Sequence, residues 1–189
     1  MMHTRTDRSV LSGLMAGVLL LGVVLACGSA DETDQANKLV AEGNSAIEEG
    51  KKFFKDAEEK KNQMLKTDVS RLGEARTIAN EAIHGYDQAE EKAKAAAGKF
   101  EEASKLKIND KFKEYLALKV KEFNKRAELI EAARSIPQAL IDSQSRSSFI
   151  SRANEATQKG DRLNREAGDL SDQADKIQKD NPDAFKKSS

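Results

Sequence analysis

The chain has very little of several things that would otherwise direct its reading. One cysteine in 189 residues leaves no possibility of an intramolecular disulfide framework. There is no tryptophan, and only seven Phe and two Tyr supply aromatic bulk. Two prolines and a third of the residues charged, in a Lys/Glu/Ala-rich mixture, disfavour a sheet-rich fold. Straight-chain side chains and Ala lose little freedom on entering a helix, so such a composition favours long solvent-facing helices. An excess of one charge is also missing: 32 basic residues face 32 acidic ones, which excludes the basic footprint a nucleic-acid partner needs. The apolar residues nevertheless recur periodically, which separates the chain from a disordered charged tail. The length suffices for one ordinary domain with a real core.

Long hydrophobic runs are absent but for one. Arg5 and Arg8, partly offset by Asp7, precede an uncharged stretch from Ser9 to Ala30, within which the 17 residues from Val10 to Ala26 are strongly apolar. That is the layout of a secretory signal, and it is short for a membrane span, which takes about 20 residues. It closes on Val24-Leu25-Ala26-Cys27 and turns at once to Asp31-Glu32-Thr33-Asp34. The tetrad resembles the lipobox of bacterial lipoproteins: an aliphatic residue, a tolerant position, a small residue, then Cys. Leu25 departs from the Ala or Ser commoner at its place. The resemblance covers about 27 residues and implies that the Cys27 thiol takes a diacylglyceryl group and that the chain is cleaved between Ala26 and Cys27. Two or three acyl chains would then hold the mature protein at a bilayer, beyond the marginal binding of a single chain. An uncleaved anchor and a conventional signal with an incidental cysteine stay open. Gly28 and Ser29 stand where an Asp would mark inner-membrane retention, so the resemblance implies the periplasmic face of the outer membrane in a Gram-negative host. Loss of residues 1–26 removes Arg5, Arg8 and Asp7, leaving 30 basic and 31 acidic side chains.

Residues 27–31 form a short acylated linker in this reading, and 32–180 carry four helical segments. Ser29 and Glu32 have capping-box spacing, which predicts a first helix beginning almost at the anchor. Over 32–66, Ala36, Gly43, Gly50, Ala57 and Met64 form one row and Val40, Ile47 and Phe54 the next. Thr67-Asp68-Val69-Ser70 offers turn and cap residues. A second segment, 70–106, places Leu72, Ala79, Tyr86, Ala93 and Phe100 seven apart. Asn109-Asp110 ends it and caps a third, 110–142, with Phe112, Leu116, Val120, Phe123, Ala127 and Ile130 at helical spacing. Pro137 removes a hydrogen bond and clashes with the preceding turn, which predicts a kink or break near Arg134–Pro137. The polar stretch Ser143 to Ser148 reads as a loop. The last segment, 148–180, has the cleanest heptads: Phe149, Ala156, Leu163, Leu170 and Ile177 alternate with Ala153, Gly160, Ala167 and Ala174. Asn181-Pro182 stops it, and 181–189 reads as a polar tail. Short connections make neighbours antiparallel, so the expected fold is all-α, an up-down-up-down four-helix bundle. A homo-oligomeric coiled coil would satisfy the same heptads.

No constellation for catalysis emerges, and no enzyme activity is expected. Beyond the leader the one histidine is His84, and Glu81-Ala82-Ile83-His84 has the Glu-x-x-His spacing of di-iron bundles. His84 lies five residues past Ala79, about 140° round the helix from the core row, so it points the wrong way for an interior ligand. Neither a metal site nor a cofactor is expected. The glycines within the rows cost about 1 kcal/mol each relative to Ala, and close helix approach is the expected compensation, a ligand gap the rarer one. Lys105, Lys107, Lys111 and Lys113 flank the turn between the second and third segments, which an up-down topology returns to the anchored end; they form a candidate membrane-proximal basic patch. The expected function is a non-enzymatic, lipid-anchored envelope scaffold or protein-binding module, with the bilayer and an envelope protein as partners. A carrier of an apolar small molecule between helices is the alternative, and a metal-binding bundle the remotest.

Overall fold

The computed structural model describes residues 32–186. They form α1 (Thr33–Lys66), α2 (Leu72–Ser104), α3 (Asp110–Asp142) and α4 (Arg146–Asp180), with 3-10 turns at Val69–Arg71 and Pro182–Phe185. The breaks fall where side chains compete for backbone donors. Asp68 accepts the Ser70 N–H at 2.8 Å, Asn109 the Lys111 N–H at 2.8 Å, and Ser145 Oγ the Ser148 N–H at 3.2 Å. Each satisfies an orphan donor that the following helix would leave open. Because Ser145 does this, α4 begins at Arg146 rather than at Ser148. Glu32 is the N-cap of α1, so the capping box that Ser29 would open lies partly outside the described residues. α3 runs unbroken from Asp110 to Asp142 with Pro137 buried inside it.

Consecutive helices pack antiparallel along their lengths, giving an up-down-up-down four-helix bundle. Three ion pairs record the α1–α2 register: Glu42–Lys99 (3.0 Å), Glu49–Lys92 (2.6 Å) and Lys60–Glu81 (2.5 Å). Each step forward on α1 matches an equal step back on α2. Between them, the buried set of α1 in the helix body is the small row Ala36, Gly43, Gly50, Ala57 and Met64. A Cβ on Gly43 would stand 2.9 Å from the Phe100 ring, one on Gly50 3.0 Å from the Lys92 Cβ, and one on Gly85 3.0 Å from the Ala57 Cβ. The glycines are therefore the places where α1 and α2 come closest.

The inner helices α2 and α3 bury wide faces and the outer helices narrow ones. On α4 only Ala156, Leu163, Ala167 and Ala174 are buried; Phe149, Leu170 and Ile177 from its heptad row are half-exposed. α4 packs on α3, and α1 and α4 make no extended contact, so the bundle is open along that side. Two further expectations give way. Leu72, placed on the core row of α2, is the first residue of that helix and is 42% exposed. The tail is not wholly polar: after Pro182 the chain folds back, and Phe185 is buried 4.8 Å from the Phe112 ring and 5.2 Å from that of Tyr115.

Candidate functional site

The two ends of the bundle and one charged cluster between them carry the features that bear on function. At the end where α1 begins, Glu32 and Lys107 clasp each other through two hydrogen bonds. The Glu32 N–H donates to the Lys107 carbonyl at 3.2 Å, and the Lys107 N–H donates to Glu32 Oε2 at 2.6 Å. Asn37 Nδ2 donates to the Phe185 carbonyl at 3.4 Å. Thus the start of α1, the α2–α3 turn and the C-terminal turn share one end. Ala26 and Cys27 lie outside the described residues. Lys105, Lys107, Lys111 and Lys113 all belong to this end. Lys105 pairs with Glu101 at 2.8 Å and Lys111 with Glu114 at 2.7 Å, while Lys107 and Lys113 have no ion pair among the described residues. The Lys105 contact holds Glu101 below the usual carboxylate range. Glu32, Asp34 and Asp110 stand among the lysines, so the turn mixes both signs.

At the opposite end, the α1–α2 turn and the start of α4 carry the three large hydrophobic residues that are well exposed among the described residues: Leu65 (50%), Leu72 (42%) and Ile150 (45%). At the same end an open notch of about 680 Å³ lies between α1 and the start of α2, lined by Glu59, Asn62, Gln63, Lys66, Thr67, Arg71 and Glu74. Residues 65–76 and 142–152 carry five cations (Lys66, Arg71, Arg76, Arg146, Arg152) against three carboxylates (Asp68, Glu74, Asp142). Arg71 pairs with Glu74 and Arg152 with Asp142. Lys66, Arg76 and Arg146 have no ion pair among the described residues.

Between the ends, sequence reasoning missed a buried carboxylate. Glu122 on α3 is 2% exposed and accepts from Lys119 Nζ at 2.6 Å and Arg126 Nε at 2.7 Å. Both cations also lie over the Phe123 ring, 5.1 and 5.7 Å from its centroid. Such contacts offset part of the cost of taking charges out of water. Burial raises Asp175 on α4 above its ordinary range, with Lys119 opposing and Glu122 reinforcing the shift. Burial, with the charges of Asp175 and Glu122, pushes the Tyr115 phenol up to about 12. The signal was in the sequence: Tyr115, Glu122, Leu129 and Ile136 form a heptad row in which one member is a glutamate. Two cations against one buried acid, with a second acid facing them from α4, make a closed ionic cluster.

His84 is exposed on α2, and among the described residues no group of three His, Cys, Asp or Glu side chains is arranged to hold a metal ion. No described helix is long and apolar enough to cross a membrane. Comparison with protein-family models, with curated proteins and with solved structures gives no match to this chain.

Proposed function

We propose that this protein is a lipid-anchored, non-enzymatic scaffold or protein-binding module of the bacterial cell envelope, held at the bilayer by acylated Cys27. The observation that carries the anchor is the lipobox-like Val24-Leu25-Ala26-Cys27 in the sequence, and the Glu32–Lys107 clasp sets the α2–α3 turn beside the start of α1. Four residues lie between Cys27 and Glu32, so five Cα–Cα steps limit their separation to about 18 Å. A bundle clasped at that point stands close to its anchor by the end that holds the α2–α3 turn. In this reading Lys107 and Lys113, which have no ion pair among the described residues, face the bilayer, at about 1 kcal/mol per contact with anionic headgroups at low salt. α1 alone is 34 residues, about 51 Å, so the far end is displayed well clear of the membrane.

The small-residue rows favour a scaffold over a carrier of apolar molecules. The space beside Gly43 and Gly50 is taken by the Phe100 ring and the Lys92 stem, and the notch at the far end is lined by polar groups. Mass spectrometry of the native protein tests the anchor. The expected N-terminus is a di- or triacylated Cys27, and Cys27→Ser should move the protein from the membrane to the soluble fraction. An intact leader, or an unmodified Cys27 in membrane-bound protein, would overturn it.

A further inference from the structure

We infer that the C-terminal turn is a strap on the open side of the bundle: the part of α4 beyond Glu166 stays docked on α3 because Phe185 is seated. The inference goes beyond the anchored-scaffold reading and holds whether or not Cys27 is acylated. It starts from how little else holds that part of α4. Its buried side chains are Ala167 and Ala174, while Leu170 and Ile177 are half-exposed. The ion pairs that join α4 to α3, Arg152–Asp142 at 3.8 Å and Lys125–Glu166 at 3.3 Å, reach no further than Glu166 among the described residues. No second helix supports it, since α1 and α4 make no extended contact. A helix in a protein is held chiefly by packing of its apolar face, and two alanine methyls bury little surface.

The turn supplies what this part of α4 lacks. Asn181 ends the helix by donating both its N–H and its Nδ2 to the Ile177 carbonyl, each at 3.0 Å. Pro182 then opens a 3-10 turn, held by the Ala184 N–H on the Asn181 carbonyl at 3.0 Å and by the Lys186–Asp183 pair at 2.8 Å. Ala184 and Phe185 are thereby buried in the cluster that holds Ala36 of α1, Phe100 of α2, and Phe112 and Leu116 of α3. One aromatic ring buries about 150–250 Å², far more than two alanine methyls. The Phe185 carbonyl also accepts from Asn37 Nδ2 at 3.4 Å, so the strap reaches α1 as well. Hydrogen bonds run from Ile177 to the turn without a slack residue, and the seated ring therefore fixes where α4 ends. Unseating it would free α4 from its C-terminal end and carry Asp175 away from Lys119 and Glu122, whose charges act on it when docked.

Hydrogen exchange of the full chain, read by mass spectrometry, tests this. In a chain ending at Asn181, and in Phe185→Ala, amides from Ala167 to Lys176 should gain at least tenfold in exchange rate over the slowest amides of α2. Amides of α4 before Leu163 should keep their rate relative to α2. Phe185→Leu, which refills the seat with apolar bulk, should recover most of the protection, and circular dichroism checks that each variant keeps its helices. Acceleration confined to residues 177–180 would mark a lost cap and nothing more, and would overturn the inference. Equal speeding of α2 and α4 would also sink it, because the ring would then be holding the whole core, as would unchanged protection of 167–176. No step of the test involves the acyl group, so its failure leaves the anchor at Cys27 standing, and an unmodified Cys27 leaves the exchange result interpretable.

Discussion

Gly43 and Gly98 both sit inside long helices, yet alanine should do opposite things at the two. At Gly43 the new methyl would meet the fully buried Phe100 ring at 2.9 Å, and a ring locked between helices does not yield cheaply. Overpacking of this kind costs about 1–3 kcal/mol, more than the gain of up to about 1 kcal/mol in helix propensity. At Gly98 nothing lies within 4 Å, so the propensity gain of about 0.5–1 kcal/mol stands alone. Urea denaturation should therefore move the midpoint down for Gly43→Ala and up for Gly98→Ala; shifts of the same sign would contradict the packing described. The two tyrosines offer a second residue-scale check. Tyr86 is fully buried, with its hydroxyl donating to Glu58 at 2.5 Å, and burial together with the Glu58 charge raises its pKa far above the ordinary value. Tyr115 is raised to about 12. Groups that stay protonated in the folded state but ionise near 10 when unfolded contribute stability that is whole below pH 10. That stability is lost as pH rises from 10 toward the folded value. Absorbance at 295 nm should accordingly show little phenolate until the bundle unfolds, and then both together. A normal titration near pH 10 with helicity intact would refute the burial.

At the level of elements, α4 is the helix whose attachment is least secure. Its heptads are regular, but α3 is the one helix it packs on along its length, and three alanines and one leucine make up its buried set. The charged cluster of α3 lies under this contact. Removing the carboxylate with Glu122→Ala would leave Lys119 and Arg126 mostly buried beside Phe123 with no counter-charge from their own helix. Breaking a buried pair by deleting one partner is worth about 3–5 kcal/mol. The cations retain 13% and 17% exposure and can partly turn outward, which lowers the expected loss to about 2–4 kcal/mol. Hydrogen exchange should localise the loosening to α4 and the middle of α3, leaving the α1–α2 pair protected. Uniform loss across all four helices would show that the cluster acts on the whole core instead.

For the molecule as a whole, the two ends differ in construction. The end at Glu32 is tied by the clasp, by the Asn37–Phe185 bond and by the tilted and edge-on contacts of the Phe112, Tyr115 and Phe185 rings. The opposite end has two capped turns and exposed leucines. Phe185→Ala should cost about 3 kcal/mol, the lower limit for deleting a buried aromatic, and should speed exchange of the Lys107 amide, whose hydrogen bond to Glu32 lies at the same end. If that amide exchanges as in the parent, the tail and the clasp are independent.

The composition and the sevenfold rows were enough to dictate four helices, their antiparallel order and the Asp68 and Asn109 caps, because helix propensity, capping and amphipathic spacing are all properties of neighbouring residues. The small row of α1 was legible for the same reason. The tertiary structure settled which rows are covered. The heptads of α4 are as regular as any, yet half of them stay open because no helix arrives on their other side. Leu72 sits on a core row by spacing but is exposed at the first residue of α2, and Phe185 sits in a polar tail but turns back onto two rings. Burial of Glu122 likewise depends on Lys119, Arg126 and the arrival of α4. Periodicity states which side of a helix is apolar; only the placement of the other helices decides whether that side meets a neighbour, a charge or water.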